Sequence, residues 1–211
     1  MLLAMNSSTD TVSVAVHDGQ RVRALMEAQA ARAHAEVLTP LVQQCLATAG
    51  VAMADLTELV VGVGPGAFTG LRVGIVSART MASVLQVPCR GVVSMDAVAY
   101  AHDAPGEVAV VMDARRGEVF WAQYRDGLRI KGPAVGAPEE VAAQIGDGAV
   151  ILGDAAERYP TIFPTIQSAQ PDAGQLAAFA QDVHHRSALV EPVPLYLRAP
   201  DAAEPRARTG I

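Results

Sequence analysis

Three short segments carry residue types whose spacing could support chemistry. The first is Asn6-Ser7-Ser8-Thr9-Asp10. Small hydroxyl residues set between two apolar runs can wrap a phosphate with backbone N–H groups. A catalytic turn of this kind carries a carboxylate at its head to hold Mg²⁺ or polarise water, since a hard cation takes oxygen ligands. Here the head is the neutral Asn6, and the same residues also make an ordinary polar hairpin turn. The second segment is Gly62-Val63-Gly64-Pro65-Gly66-Ala67-Phe68-Thr69-Gly70-Leu71-Arg72-Val73-Gly74. It breaks the dinucleotide pattern GxGxxG at Ala67, and Pro65 removes an N–H from the turn. Gly66, Gly70, Gly74, Ala78 and Ala82 instead recur every four residues, which lines up small side chains along one helix stripe. Such a stripe admits a close backbone neighbour, either the protein's own sheet or a partner. Leu71, Ile75, Val76, Met81 and Leu85 clothe the rest, interrupted by Arg72 and Arg79, so burial on all sides with a partner supplying part of the cover is the expectation. The third segment is Asp113-Ala114-Arg115-Arg116-Gly117-Glu118. Its paired arginines could grip a phosphate or carboxylate bidentately. It also reads as a solvated hairpin turn whose arginines pair with Glu118.

Residue types exclude several other chemistries. Of 16 basic residues only Lys131 is a lysine, in the turn-like Ile130-Lys131-Gly132-Pro133. A P-loop needs a Lys after its glycines and a Schiff-base enzyme needs a lysine nucleophile. His17, His34, His102, His184 and His185 show no HxxxH or HExxH spacing and no Ser sits in GxSxG, so a helical two-His metal site and a serine triad are unsupported. His34, ahead of a helix, reads as a cap or surface residue. Cys45 and Cys89 form no CxxC, which argues against a disulfide framework and a structural zinc. A formal net charge of −6 argues against broad capture of nucleic acid. With 211 residues, 51% hydrophobic and 18% charged, the chain can bury a real core as one large domain or two small ones. Its start has no basic region and turns polar after five residues, so it reads as neither a signal peptide nor a membrane span, and the chain as cytoplasmic.

The elements that must hold these segments follow from periodicity. Residues 2–5 and 12–16 read as antiparallel strands around the first turn, with Asp18-Gly19 turning into a third strand over 21–29. Residues 35–48 read as an amphipathic helix closed by Gly50. Residues 59–63 are a strand covered on both faces, 71–85 a helix, 88–93 a strand and 94–100 a helix. Asp103-Ala104-Pro105-Gly106 marks a boundary, giving lobes at 1–103 and 104–200 and a flexible tail at 201–211. The second half reopens as the first did, with strands 107–112 and 118–124 around the turn 113–117. Placing Asn6 on Asp113, an offset of 107 residues, puts Val12 on Val119 and Ala15 on Ala122 with turns of equal length. The identities are few enough for chance, yet an offset near half the chain suggests a duplicated α/β unit. A short helix to 145, a strand over 149–152, a helix over 174–184 and a brief strand over 195–197 complete the reading.

The run from Leu59 to Gly74, containing Gly-Pro-Gly-Ala-Phe-Thr-Gly-Leu-Arg-Val-Gly, together with Met112-Asp113-Ala114-Arg115-Arg116-Gly117-Glu118-Val119, resembles the TsaB (YeaZ) family. Arg32-Ala33-His34-Ala35-Glu36 and Leu195-Tyr196-Leu197-Arg198 extend the likeness over nearly the whole chain. The resemblance implies a two-lobed actin/Hsp70-like fold of duplicated RNase H-like units. It implies a non-catalytic scaffold in making N6-threonylcarbamoyladenosine at position 37 of ANN-decoding tRNAs. The implied partners are a TsaD-like catalytic subunit and a TsaE-like ATPase, with a homodimer when alone, tRNA met only through the complex and no membrane. No cofactor of its own is implied; ATP or ADP and Mg²⁺ belong to the complex. The helix after the glycine run is the family's pairing surface, which maps onto Gly66, Phe68, Thr69, Gly70, Leu71, Arg72, Gly74, Ile75, Ala78, Arg79 and Ala82. Asn6, Ser7, Ser8, Asp113 and Arg115 map as remnants of nucleotide loops, with no catalytic or metal residue assigned. Members commonly carry Asp where this chain has Asn6, and the paralogue's metal-binding histidine pair is missing, which tells against the peptidase M22-like description. The alternatives are an ATP-dependent phosphotransferase of the same fold and an M22-type metallopeptidase. Under the scaffold reading, Arg72→Glu or Gly74→Leu destroys partner binding and leaves the isolated fold largely intact.

Overall fold

The computed structural model describes residues 1–30, 33–102, 105–146 and 148–198. The junction at 103/104, Arg32 and the 201–211 tail lie outside these residues. Alternation sets the first sheet: in β1 (Leu2–Asn6), Leu3 and Met5 enter one core while Leu2 and Ala4 enter another, so both faces must be covered. β1 pairs antiparallel with β2 (Thr11–His17), and β2 with β3 (Val22–Gln29). On its other side β1 pairs parallel with β4 (Glu58–Gly64), and β4 with β5 (Cys89–Val93). Parallel neighbours demand crossovers. They are α1 (His34–Ala49), ending at Gly50 in the left-handed region (φ 66°), and α2 (Phe68–Leu85).

The second sheet repeats the plan. β6 (Glu107–Asp113), β7 (Val119–Arg125) and β8 (Leu128–Gly136) run antiparallel, and β6 pairs parallel with β9 (Val150–Gly153), which pairs parallel with β10 (Gln167–Ser168). The orders β3-β2-β1-β4-β5 and β8-β7-β6-β9-β10 are the same, and the duplicated α/β unit expected from the sequence is present. α4 (Pro138–Ile145) makes the crossover from β8 to β9, whereas only a 3₁₀ turn at Ala155–Glu157 and the chain after it join β9 to β10.

Several expectations need correction. The turns are not of equal length: Asn6 pairs with Ser13, but Asp113 pairs with Val119, so the first turn is one residue longer and Ala15 corresponds to Trp121 rather than Ala122. Lys131 lies within the strand β8, where Gly132 takes φ 80° beside a bulge, and its Nζ donates to Gln144 Oε1 (2.8 Å). Residues 195–197 form no strand; Leu195 N–H makes a backbone bond to Val63 O (2.8 Å) at the end of β4.

The seam between lobes is built by exchange. α3 (Ser94–His102) follows the first sheet and rests also on β6, β7 and β9, while α5 (Ala173–Gln181) follows the second sheet and rests on β1, β2 and β4. α1 and α2 cover the other face of the first sheet. At the seam Asp96 of α3, buried, accepts from Tyr124 Oη (2.9 Å) and Arg129 Nη1 (3.2 Å) of the second sheet. Burial pushes its carboxyl above the usual range, against the pull of Arg129 and then Tyr124. The three satisfied groups lock the lobes in one register, because an unpaired buried charge would be costly. No helix among the described residues is long and apolar enough to cross a membrane.

Candidate functional site

The open ends of β1, β4, β6 and β9 point into one cleft of about 900 Å³ between the lobes. Strand C-terminal ends are where such sheets gather ligands. Of the five residues predicted as nucleotide-loop remnants, Ser8, Asp113 and Arg115 line the cleft, whereas Asn6 and Ser7 do not. Asn6 is fully buried behind it: Nδ2 donates to Pro171 O (2.8 Å) and Oδ1 accepts from Ser8 Oγ (2.9 Å). Ser7 Oγ donates to Gly70 O (2.8 Å). The head of the first turn is thus closed by its own bonds, with both ends of the Asn6 amide engaged inside the chain.

Asp154 and Arg158, outside the three segments read from the sequence, complete the cleft. Arg115 Nη2 reaches Asp10 Oδ2 of the first lobe (3.0 Å) and its Nε lies 3.6 Å from Asp113 Oδ2. Arg158 also approaches Asp113 (3.6 Å). Glu118, at the end of the same turn, pairs with Arg198. Asp154 Oδ1 accepts from Asp113 N–H (2.8 Å). Burial pushes the Asp154 carboxyl up; that N–H opposes the shift, while Glu157 and Asp113 add to it. Asp154 follows Gly153 at the end of a strand, a placement that could have flagged it from sequence. Exposed pairs of this sort add little stability; their effect is to balance acidic against basic groups across the cleft. His34 is neither cap nor surface residue: it is buried at the start of α1 with Nε2 2.9 Å from Thr9 O. Among the described residues no group of three or more His, Cys, Asp or Glu is placed to hold a metal.

The second feature is α2. Its small-residue stripe faces inward: a Cβ on Gly66 would lie 2.1 Å from Ser8 O, on Gly70 2.4 Å from Ser7 O, and on Gly74 2.2 Å from Ser7 Oγ. The close backbone neighbour is therefore the protein's own first turn. Gly70, Leu71, Gly74, Ile75, Ala78 and Ala82 are buried inside the chain and unavailable to a partner, and Gly74→Leu attacks the fold rather than a binding surface alone. The helix is not covered all round. Phe68, Thr69, Arg72, Val76, Arg79, Thr80, Ser83 and Val84 face outward, Val76 61% and Val84 77% exposed. At the head of this face the Arg72 guanidinium lies 3.9 Å from the Phe68 ring centroid, and Arg72 Nε donates to Tyr196 Oη (2.8 Å).

Comparison with known proteins follows the geometry. A family model described as "TsaD: tRNA N6-adenosine threonylcarbamoyltransferase" matches residues 26–183. An uncharacterized protein of Mycobacterium tuberculosis is 41% identical over 210 residues, 95% of this chain and 93% of the relative. The tRNA threonylcarbamoyladenosine biosynthesis protein TsaB of Escherichia coli is 36% identical over 127 residues, 59% of this chain and 54% of that protein. The crystal structure of YeaZ from Pseudomonas aeruginosa superposes with a TM-score of 0.76 at 32% identity, covering 93% of this chain and 99% of that one. At the level of fold alone, the ADPNP-bound activator of a Clostridium difficile 2-hydroxyisocaproyl-CoA dehydratase matches with a TM-score of 0.52 at 10% identity over 88% of this chain and 95% of that one. The architecture is the actin-like one that the family resemblance implied.

Proposed function

The chain belongs to the TsaB/YeaZ family, and to the TsaD-type family whose model it matches, and from that premise we propose that it is a scaffold subunit in threonylcarbamoyl transfer to adenosine 37 of ANN-decoding tRNAs, without catalysis of its own. One observation carries the non-catalytic part. Asn6 stands where Asp113 stands in the second lobe, is neutral, and has both ends of its amide committed to Pro171 and Ser8. A phosphotransferase or ATPase needs a carboxylate there for its cation. The partners are a TsaD-like catalytic subunit and a TsaE-like ATPase, with a homodimer when the chain is alone. The outward face of α2, with Phe68, Thr69, Arg72, Val76, Arg79 and Val84, is the pairing surface. Its aromatic, arginine and exposed valine side chains suit an interface core. ATP or ADP, Mg²⁺ and tRNA belong to the assembled complex; the formal charge of −6 disfavours tRNA capture by this chain alone.

The test is sedimentation of the purified chain, alone and with the matching catalytic subunit, with ATP turnover assayed in each. A homodimer that gives way to a mixed complex, and no turnover alone, is the expected result. A monomer that ignores the catalytic subunit and hydrolyses ATP would overturn the reading in favour of the phosphotransferase.

A further inference from the structure

Residues 195–198 tie the two lobes together at the mouth of the cleft. On the first-lobe side, Leu195 N–H bonds to Val63 O (2.8 Å), and the Tyr196 ring stacks on Phe68 with centroids 4.9 Å apart and planes at 24°. Tyr196 Oη accepts from Arg72 Nε (2.8 Å). On the second-lobe side, Arg198 Nη1 donates to Ala114 O (2.9 Å), Nη2 to Arg115 O (3.3 Å), and the guanidinium pairs with the Glu118 carboxylate. The turn it grips holds Arg115, Arg116 and Gly117 in succession at positive φ (62°, 56° and 80°), a backbone that L side chains rarely adopt. Two donors on its carbonyls and a salt link to its last residue hold that turn in place.

We propose that residues 195–198 are a positioning strap, through which the second-lobe turn at 114–118 sets the Phe68–Arg72–Tyr196 cluster at the head of the exposed α2 face and so tunes affinity for the catalytic subunit. The inference rests on the reading that this face is the pairing surface. Tyr196 lies outside regular secondary structure, so its position depends on the Leu195 bond before it and the Arg198 bonds after it. Arg72 is long and exposed, and docking it costs rotamer freedom unless it is already held. The stack on Phe68 and the bond to Tyr196 hold it before the partner arrives. Arg and Tyr are the residue types that most often dominate interface energetics. Arg198 and Glu118 are thus positioning residues that act through Tyr196.

The test measures affinity for the matching catalytic subunit, with thermal stability in parallel, for the wild-type chain, Val76→Glu, Arg198→Ala, Glu118→Gln, Arg72→Ala and the Arg72→Ala/Arg198→Ala pair. Arg198→Ala is expected to weaken binding about tenfold, mainly through faster dissociation, the scale of truncating one interface anchor. Glu118→Gln, which keeps an acceptor and disturbs the fold least, should weaken it about threefold through the lost charge. In the Arg72→Ala background, Arg198→Ala should cost almost nothing more, a coupling that a purely structural role would not produce. Wild-type affinity in both Arg198→Ala and Glu118→Gln, or losses that add in the pair, would overturn the strap while Val76→Glu still reports on the pairing face. A wild-type chain that does not bind at all would bring down the pairing reading, and the strap with it.

Discussion

The two lobes share one strand order but differ in what their first turn does. In the first lobe the turn after β1 is an anvil for α2: Ser7 and Ser8 touch the glycine stripe, Ser7 Oγ caps Gly70 O, and Asn6 anchors Pro171. In the second lobe no α-helix joins β9 to β10, and the turn after β6 stands in the cleft with Asp113 and Arg115. The same topology thus supports a packing turn where a long crossover helix needs a seat, and a charged turn where none does. The lesson is that a loop's role in a duplicated fold is set by its neighbouring crossover as much as by its own residues.

That contrast can be broken in order of expected effect. Gly70→Leu drives a side chain into Ser7 O and should lower unfolding stability by about 3 kcal/mol, read from a urea midpoint. Wild-type stability in this variant would mean that α2 does not seat on the turn. Next comes the pair at the turn heads. Asn6→Asp places a carboxylate against Pro171 O and should cost about 2 kcal/mol at neutral pH, whereas Asp113→Asn, with its charges partly in solvent, should cost less than about 1 kcal/mol. The Asn6→Asp loss should recover on acidification, because a buried protonated carboxyl can again donate to Pro171 O. Recovery at low pH is the expected sign for a buried carboxyl that is stabilised in its protonated form. Equal costs at both heads would erase the distinction between the turns.

A smaller effect concerns the buried end of the second-lobe cleft. The Asp154 carboxyl is raised in the folded chain, so its contribution to stability is present below the ordinary Asp range and is lost as pH rises through its folded value. Comparing Asp154→Asn with the wild type by denaturant unfolding between pH 4 and 7 should show the difference shifting in favour of the variant as pH rises. A pH-independent difference would mean that Asp154 is solvated like an exposed carboxylate. The smallest effect on the isolated chain is at the outward face of α2. Val76→Glu should change stability by less than about 0.5 kcal/mol, checked by thermal unfolding. A large loss there would show that this face is covered within the chain itself.

Much of the fold was legible. Alternation in residues 2–5 and 12–16, the apolar run at 59–63 and the spacing of Leu38, Leu41, Val42, Cys45 and Leu46 each state their element, because burial of a strand or helix face imposes its period. The strand β8 escaped notice since Gly132-Pro133 reads as a turn, and a bulge within a strand has no periodic signature. Residues 195–197 read as a strand by composition, yet only one of their N–H groups finds a strand edge. At the site, the glycine stripe was visible but its partner was not. Spacing announces a close approach, while the identity of the approaching backbone depends on a turn more than fifty residues away in sequence.

By itself, the sequence determined the duplicated α/β plan, the neutral head of the first turn, the spacing of its one lysine and five histidines, and the family to which the chain is similar. These are properties of residue type and local period, which no neighbour can change. Only the tertiary structure decided that the small stripe of α2 faces inward, that Asn6 is tied to Pro171, that Asp154 and Arg158 join the cleft, and that Arg198 reaches back to the turn at 114–118. Those are long-range contacts: their geometry is set when two sheets and a shared pair of helices close on one another, and no short-range pattern records it.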